Sequence, residues 1–288
     1  MNKDSKNINN FNDAIIRHLV EYKKQKLGID GCGHFITYNK KTKESIDYGE
    51  YEHILPEPLE VKLRNYMCDE AITESSKIKR HNYWHHLNSS QTMCINFFAI
   101  LLNNDYEYLN VLLSYILKKN IKIIKHEFEK VLIPNSTNFD FYCEDEKGHN
   151  YYFEIKYTEK DIEPKTTASN PLKTFNKIYK PLIENGTNLK FCLEDDNWEI
   201  FMNKHYQAYR NMVYGNSIKG DYCFFITMKN NLGTYDELQN AIQDANDSLS
   251  NVVSLYWEEL IPMTLNIVKG NNNLVNYYKD FKDKYFLR

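Results

Sequence analysis

Asp140, Glu154 and Lys156 are the residues of this chain whose types and spacing best support a reaction. They lie in two runs, Asn138-Phe139-Asp140-Phe141-Tyr142-Cys143 and Tyr151-Tyr152-Phe153-Glu154-Ile155-Lys156, each aromatic-rich and about one strand long. The polar stretch Glu144 to Asn150 between them contains Gly148, so the pair reads as a β-hairpin. Alternation along a strand sends Glu154 and Lys156 to one face and Phe153, Ile155 and Tyr157 to the other. Antiparallel pairing brings Asp140 towards the end of the second strand, so two carboxylates and an ammonium meet on an otherwise apolar sheet. Two such carboxylates can hold one or two Mg²⁺ ions, with the Ile155 carbonyl as a third protein ligand. A metal-activated water could then hydrolyse a phosphodiester, with Lys156 orienting or deprotonating that water or offsetting transition-state charge. From these residues alone, a cross-strand ion pair on a solvated face is the competing reading.

The elements that must position this group follow from apolar periodicity and turn residues. Residues 1–10 read as a polar arm, followed by an amphipathic helix from Phe11 to Leu27 closed by Gly28. His34–Asn39 and Glu44–Tyr48 form a small hairpin, Ile54 to Pro58 an extended linker, and Leu59–Ile72 a helix. A buried helix over Thr92–Leu102, capped from Asn88-Ser89-Ser90-Gln91, precedes a second helix over Asp105–Lys119 and a strand over Ile121–Phe128. Beyond the central hairpin come a loop over Lys160–Pro171, helices over Lys173–Ile183 and Trp198–Val213, a buried strand over Tyr222–Thr227, a helix over Tyr235–Leu249 and a mixed segment anchored by Trp257. This order predicts an α/β protein with a mixed central sheet between helices, divided into a mostly helical extension over 1–80 and a core over 81–288.

Composition excludes several classes. With 288 residues, 42% hydrophobic and 26% charged, the chain can bury a substantial core and is not expected to be disordered. A net charge of −3 leaves no global basic signature, so a nucleic-acid surface must be a local patch. The densest basic run is Lys77-Ile78-Lys79-Arg80-His81, trailed by Tyr83, Trp84, His85 and His86. Lys77, Lys79 and Arg80 are therefore candidates for DNA-backbone contact, against the reading of a plain solvated face. The histidines lack a fourth partner at zinc-ligand spacing. Six scattered cysteines without a CxxC pair suggest reduced thiols. No leader or membrane-spanning run is visible, so a cytoplasmic protein without membrane attachment is expected.

Asp140 followed by Glu154-x-Lys156 after a hairpin resembles the PD-(D/E)xK nuclease superfamily, which includes many type II restriction endonucleases. The chain also resembles a bacterial restriction-endonuclease-like family. The matching pieces are His53-Ile54-Leu55-Pro56, His86-Leu87-Asn88-Ser89-Ser90-Gln91, Asn138 to Tyr142, Phe153-Glu154-Ile155-Lys156-Tyr157-Thr158-Glu159 and Tyr206-Gln207-Ala208-Tyr209-Arg210-Asn211, spread over roughly residues 30–260. The resemblance implies a restriction-endonuclease-like core, Mg²⁺ (with Mn²⁺ substituting) bound by Asp140 and Glu154, and Lys156 as the catalytic lysine. Phe139 replaces the proline that often precedes the motif aspartate. The helical glutamate of many members has no direct counterpart; Gln91 is the expected substitute, with Glu127 and Glu129 as alternatives. The resemblance also puts a polar helix over the site, so Gln207 is expected to meet Lys156 or the scissile phosphate, and Arg210 a carboxylate or phosphate. DNA is the implied substrate, with a homodimer as a route to two cuts and a methyltransferase of the same specificity as partner. A structure-specific repair nuclease, an RNase or a non-catalytic nucleic-acid-binding module on the same fold are the alternatives.

Overall fold

A computed structural model describes residues 3–39, 42–133, 137–163, 165–215, 220–245, 249 and 251–287. The chain divides into two compact units, one of Lys118–Leu260 with the first residues up to Ile8, the other of Asn9–Leu117 with Ile261–Arg288. This grouping differs from the division expected at residue 80, because the chain from Ile261 onward joins Asn9–Leu117.

The first helix runs Lys3–Tyr22, so residues 3–10 are helical rather than a loose arm, and it belongs to that second unit from Asn9 onward. It passes into a wider turn over Lys23–Leu27 and stops at Gly28, whose φ of 66° is the left-handed cap that glycine adopts without strain. The hairpin follows as β1 (Gly33–Asn39) and β2 (Glu44–Tyr51), antiparallel. The helix expected over Leu59–Ile72 is broken into Leu59–Lys62 and Asp69–Ser76 with a tight turn between. Asn65 explains the break: its buried amide donates to the Trp84 and His86 carbonyls, both at 2.8 Å, which holds the chain out of helical register. Ser89 caps the buried Ser90–Phe98 helix by accepting the Thr92 N–H.

The C-terminal helix Asn272–Tyr285, for which no element was expected, seals this core. Tyr278 donates to the Phe97 carbonyl at 2.8 Å, Asn96 donates to the Tyr285 hydroxyl at 2.8 Å, and the buried Lys284 ammonium reaches the Asn65 carbonyl and side-chain oxygens. Burial lowers the Lys284 pKa to about 7.

The first unit is built on a five-stranded mixed sheet in the order β3 (Ile123–Ile133), β4 (Thr137–Asp145), β5 (Asn150–Ile155), β6 (Tyr222–Thr227) and β7 (Val252–Tyr256). The pairings from β3 to β5 are antiparallel and those from β5 to β7 parallel, which is the mixed α/β architecture the sequence implies. Gly148 turns the central hairpin with a φ of 78°, while Asp145 accepts the Lys147 and His149 N–H groups. One sheet face carries Phe141, Phe153 and Phe224, with Phe153 stacked on Phe224 and tilted against Phe141. On the other, Tyr152, Cys223 and Phe225 share a core with Ala208, Tyr209 and Met212. The expected Trp198–Val213 helix is two, Trp198–Asn203 and Tyr206–Met212, interrupted where buried His205 engages Asp244 at 2.9 Å. The helix expected over Tyr235–Leu249 spans Leu232–Asp244, and residues 246–248 lie outside the described ones.

Candidate active site

The central strands pair from Glu144–Asn150 up to Phe141–Phe153. Beyond that point the Ile155 N–H donates to Asp140 Oδ2 at 2.6 Å instead of to the β4 backbone. The aspartate is thereby fixed to the strand that carries Glu154 and Lys156. Since N–H and C=O of a strand residue project to the same edge, the Ile155 carbonyl also faces the side of β4. Alternation is disturbed just here: Phe139 and Tyr142, three residues apart, both contact the Tyr152 ring, at 4.9 and 5.4 Å. Glu129, which falls opposite Asp140 between the Phe128–Phe141 and Lys130–Phe139 pairs, has a φ of 53°. Irregularities of this kind at a strand edge re-aim side chains.

Glu154 is buried and surrounded by donors. Lys156 Nζ lies 2.8 Å from its Oε1. From the Tyr206–Met212 helix, Gln207 donates to Oε1 at 3.0 Å and Asn211 to Oε2 at 2.8 Å. Gln207 and Asn211 are four apart, so one helix face delivers both amides. This helix is positioned by its buried side, where the Tyr209 hydroxyl donates to the Ala241 carbonyl at 3.0 Å. Asn231, fully buried, donates to the carbonyls of Tyr157 and Glu159 and so fixes the turn after Lys156. Glu159 accepts the Tyr157 N–H at 2.6 Å, and the Trp257 indole donates to the Lys156 carbonyl at 3.3 Å.

The electrostatics follow from this crowding. Burial and then the neighbouring Glu154 and Glu129 charges push the Asp140 carboxyl well above its ordinary pKa, opposed by Lys156. For Lys156, burial works against the charged form, but the Glu154, Glu159 and Asp140 carboxylates outweigh it and raise the pKa. Lys156 therefore stays an ammonium at neutral pH. Two carboxylates crowded together with one internal cation suit a bound divalent ion, which would relieve the repulsion acting on Asp140. Among the described residues no three His, Cys, Asp or Glu side chains form a metal-binding group. A metal here would rest on Asp140, Glu154, the Ile155 carbonyl and solvent.

Of the residues singled out in the sequence, the structure brings together Asp140, Glu154, Ile155, Lys156 and Gln207, the last on Glu154 rather than Lys156. Arg210 is on the same helix, 3.9 Å from the Glu163 carboxylate and over the Tyr206 ring. Gln91 belongs to the other unit, where its side-chain oxygen accepts the His81 N–H at 2.9 Å. Glu127 pairs with Lys130 at 2.6 Å, which leaves Glu129 as the glutamate whose charge acts on Asp140. Lys77, Lys79 and Arg80 also belong to the other unit: Lys77 pairs with Glu74, and Arg80 lies 4.7 Å over the Trp84 ring. Asn211 was missed; its offset of four from Gln207 was the available signal.

Among the described residues no helix is long and apolar enough to cross a membrane. No curated protein and no solved structure matches the chain significantly. A family model described as restriction endonuclease associating with ARP matches residues 16–286, a span that takes in every residue of the site, and the chain belongs to that family.

Proposed function

We propose that this chain is a metal-dependent deoxyribonuclease of the PD-(D/E)xK type, hydrolysing phosphodiester bonds at Asp140, Glu154 and Lys156. The observation that carries this reading is Glu154, buried against Asp140 and Lys156 and gripped by Gln207 and Asn211. Asp140, Glu154 and the Ile155 carbonyl would hold Mg²⁺ or Mn²⁺, which when bound acidifies water and offsets charge on the phosphate. Lys156, whose carboxylate neighbours favour its charged form, would donate to the attacking water or to a non-bridging phosphate oxygen. Gln207 and Asn211 hold the Glu154 carboxylate in one orientation, which lowers the reorganisation needed when substrate arrives. The family to which the chain belongs supports a nuclease acting within a restriction system. In that setting, a two-fold homodimer would supply two centres for a double-strand break, and a methyltransferase of matching specificity would protect host DNA.

Cleavage of supercoiled plasmid tests this. Wild-type protein is expected to cut with Mg²⁺ or Mn²⁺ and not in EDTA, and Lys156→Ala to lose cleavage under either metal. Equal cleavage by the variant would remove the assignment. Discrete fragments would add sequence specificity and double-strand cutting, whereas smearing or nicking would keep the chemistry and drop the restriction role.

A further inference from the structure

A cleft of about 1060 Å³ lies wholly within the unit of Asn9–Leu117 and Ile261–Arg288. One wall is β1, whose alternate residues His34, Ile36 and Tyr38 line it. The other carries Lys79, Arg80 and His85. The walls are pinned through the segment between them. Gly33 N–H donates to the Ile54 carbonyl at 3.0 Å, Leu55 N–H to the His85 carbonyl at 3.2 Å, and Ile54 pairs with His86. A Cβ at Gly33 would meet the Leu55 carbonyl oxygen at 2.4 Å, so β1 starts directly against this segment. The cleft is preformed, and its volume is at the upper end of ligand-site sizes.

Its two walls differ in chemistry. Tyr38 and Ile36 are 51% and 46% exposed, an unusual display of large apolar surface on one strand face. Across from them, the Arg80 guanidinium is fixed over Trp84 and donates to Ser75 Oγ at 3.1 Å, while Lys79 is exposed to solvent. The Tyr38 ring beside Ile36, across from Lys79 and Arg80, matches the needs of bases that have left a helix, a surface to lie on and charge for the phosphates, and the two carboxylates of the cleft, Glu50 and Glu57, lie against His34 and Lys62.

We propose that this cleft binds an unpaired segment of DNA, with bases against Tyr38 and Ile36 and phosphates towards Lys79 and Arg80. The choice of polymer rests on the nuclease reading above; the cleft's chemistry stands independently of it. The test is equilibrium binding of a short single-stranded oligodeoxynucleotide to the full chain in EDTA, where no cleavage intervenes. The double variant Tyr38→Ala with Lys79→Ala is expected to bind roughly tenfold to a hundredfold more weakly and with a shallower salt dependence. Both side chains are exposed, and a melting temperature equal to that of wild type would show that the fold is kept. Unchanged affinity in the double variant would overturn the proposal, as would a loss of affinity for blunt duplex in that variant equal to its loss for the single strand. Neither result touches the cleavage assignment, which stands or falls with Lys156→Ala on plasmid.

Discussion

Asn211 sets the orientation of Glu154: its amide holds Oε2 while Gln207 and Lys156 take Oε1. Removing an orienting partner of a metal-binding carboxylate commonly costs 10–100-fold in metal affinity or activity. Asn211→Ala is therefore expected to slow cleavage by roughly tenfold to a hundredfold and to raise the Mg²⁺ concentration needed for half-maximal rate. A rate loss with an unchanged Mg²⁺ requirement would show that Asn211 matters only for packing. The sequence made Asp140, Glu154 and Lys156 legible as a group because a short turn pairs their strands, although alternation is disturbed at Asp140 itself. Glu129 was harder to select. Its position opposite Asp140 depends on the register of β3 against β4, which no local pattern encodes.

At the scale of elements, the turn after β5 carries as much of the site as the strand does. Asn231 closes that turn with two hydrogen bonds from a fully buried amide. Asn231→Ala leaves the Tyr157 and Glu159 carbonyls without this donor, and a loss of about 1–3 kcal/mol in folding stability is expected. Urea denaturation measures it, and a midpoint equal to that of wild type would contradict the role. Strands β4, β5 and β6 were read from sequence nearly to their ends, since aromatic and β-branched runs between polar turns leave few other folds, whereas β3 runs on to Ile133 past the expected end at Phe128 and β7 lay in a segment read only as mixed. Two helices were read as longer than they are. Asn65 and His205 end helical runs through partners distant in sequence, the carbonyls of Trp84 and His86 and the Asp244 carboxylate. Apolar periodicity continues through such breaks and cannot reveal them.

For the molecule as a whole, the buried Lys284 and the histidines of the hairpin unit dictate how stability varies with pH. Lys284 has a folded pKa of about 7, below its ordinary 10.5, so between these values the unfolded chain binds the extra proton and stability rises with pH. The limit is about 1.4 kcal/mol per pH unit. Thermal melts of wild type are expected to rise from pH 7 to pH 9, and Lys284→Met to remove most of that rise. An equal rise in the variant would place the effect elsewhere. Burial, followed by nearby positive charge, lowers His85 to about 4 and His86 to about 3. The unfolded state takes those protons first, so stability is lost as pH falls from 6.5 towards 4. His86→Phe should flatten that acid limb in the same melts, and an unaltered limb would contradict the cause. The contribution of the C-terminal helix to the N-terminal unit was invisible in sequence, because its Tyr278, Lys284 and Tyr285 find partners nearly the whole chain away.

The most direct test of the hydrolytic centre is the single-turnover cleavage rate of Glu154→Gln with Mg²⁺, measured beside wild type and with melting curves for both. The substitution keeps the side chain's size and removes one negative charge from the pair with Asp140. A folded variant with cleavage reduced by several orders of magnitude, and not restored by excess Mg²⁺, is the expected result. Cleavage at the wild-type rate would show that Glu154 holds no catalytic metal and that the reaction belongs elsewhere on the chain.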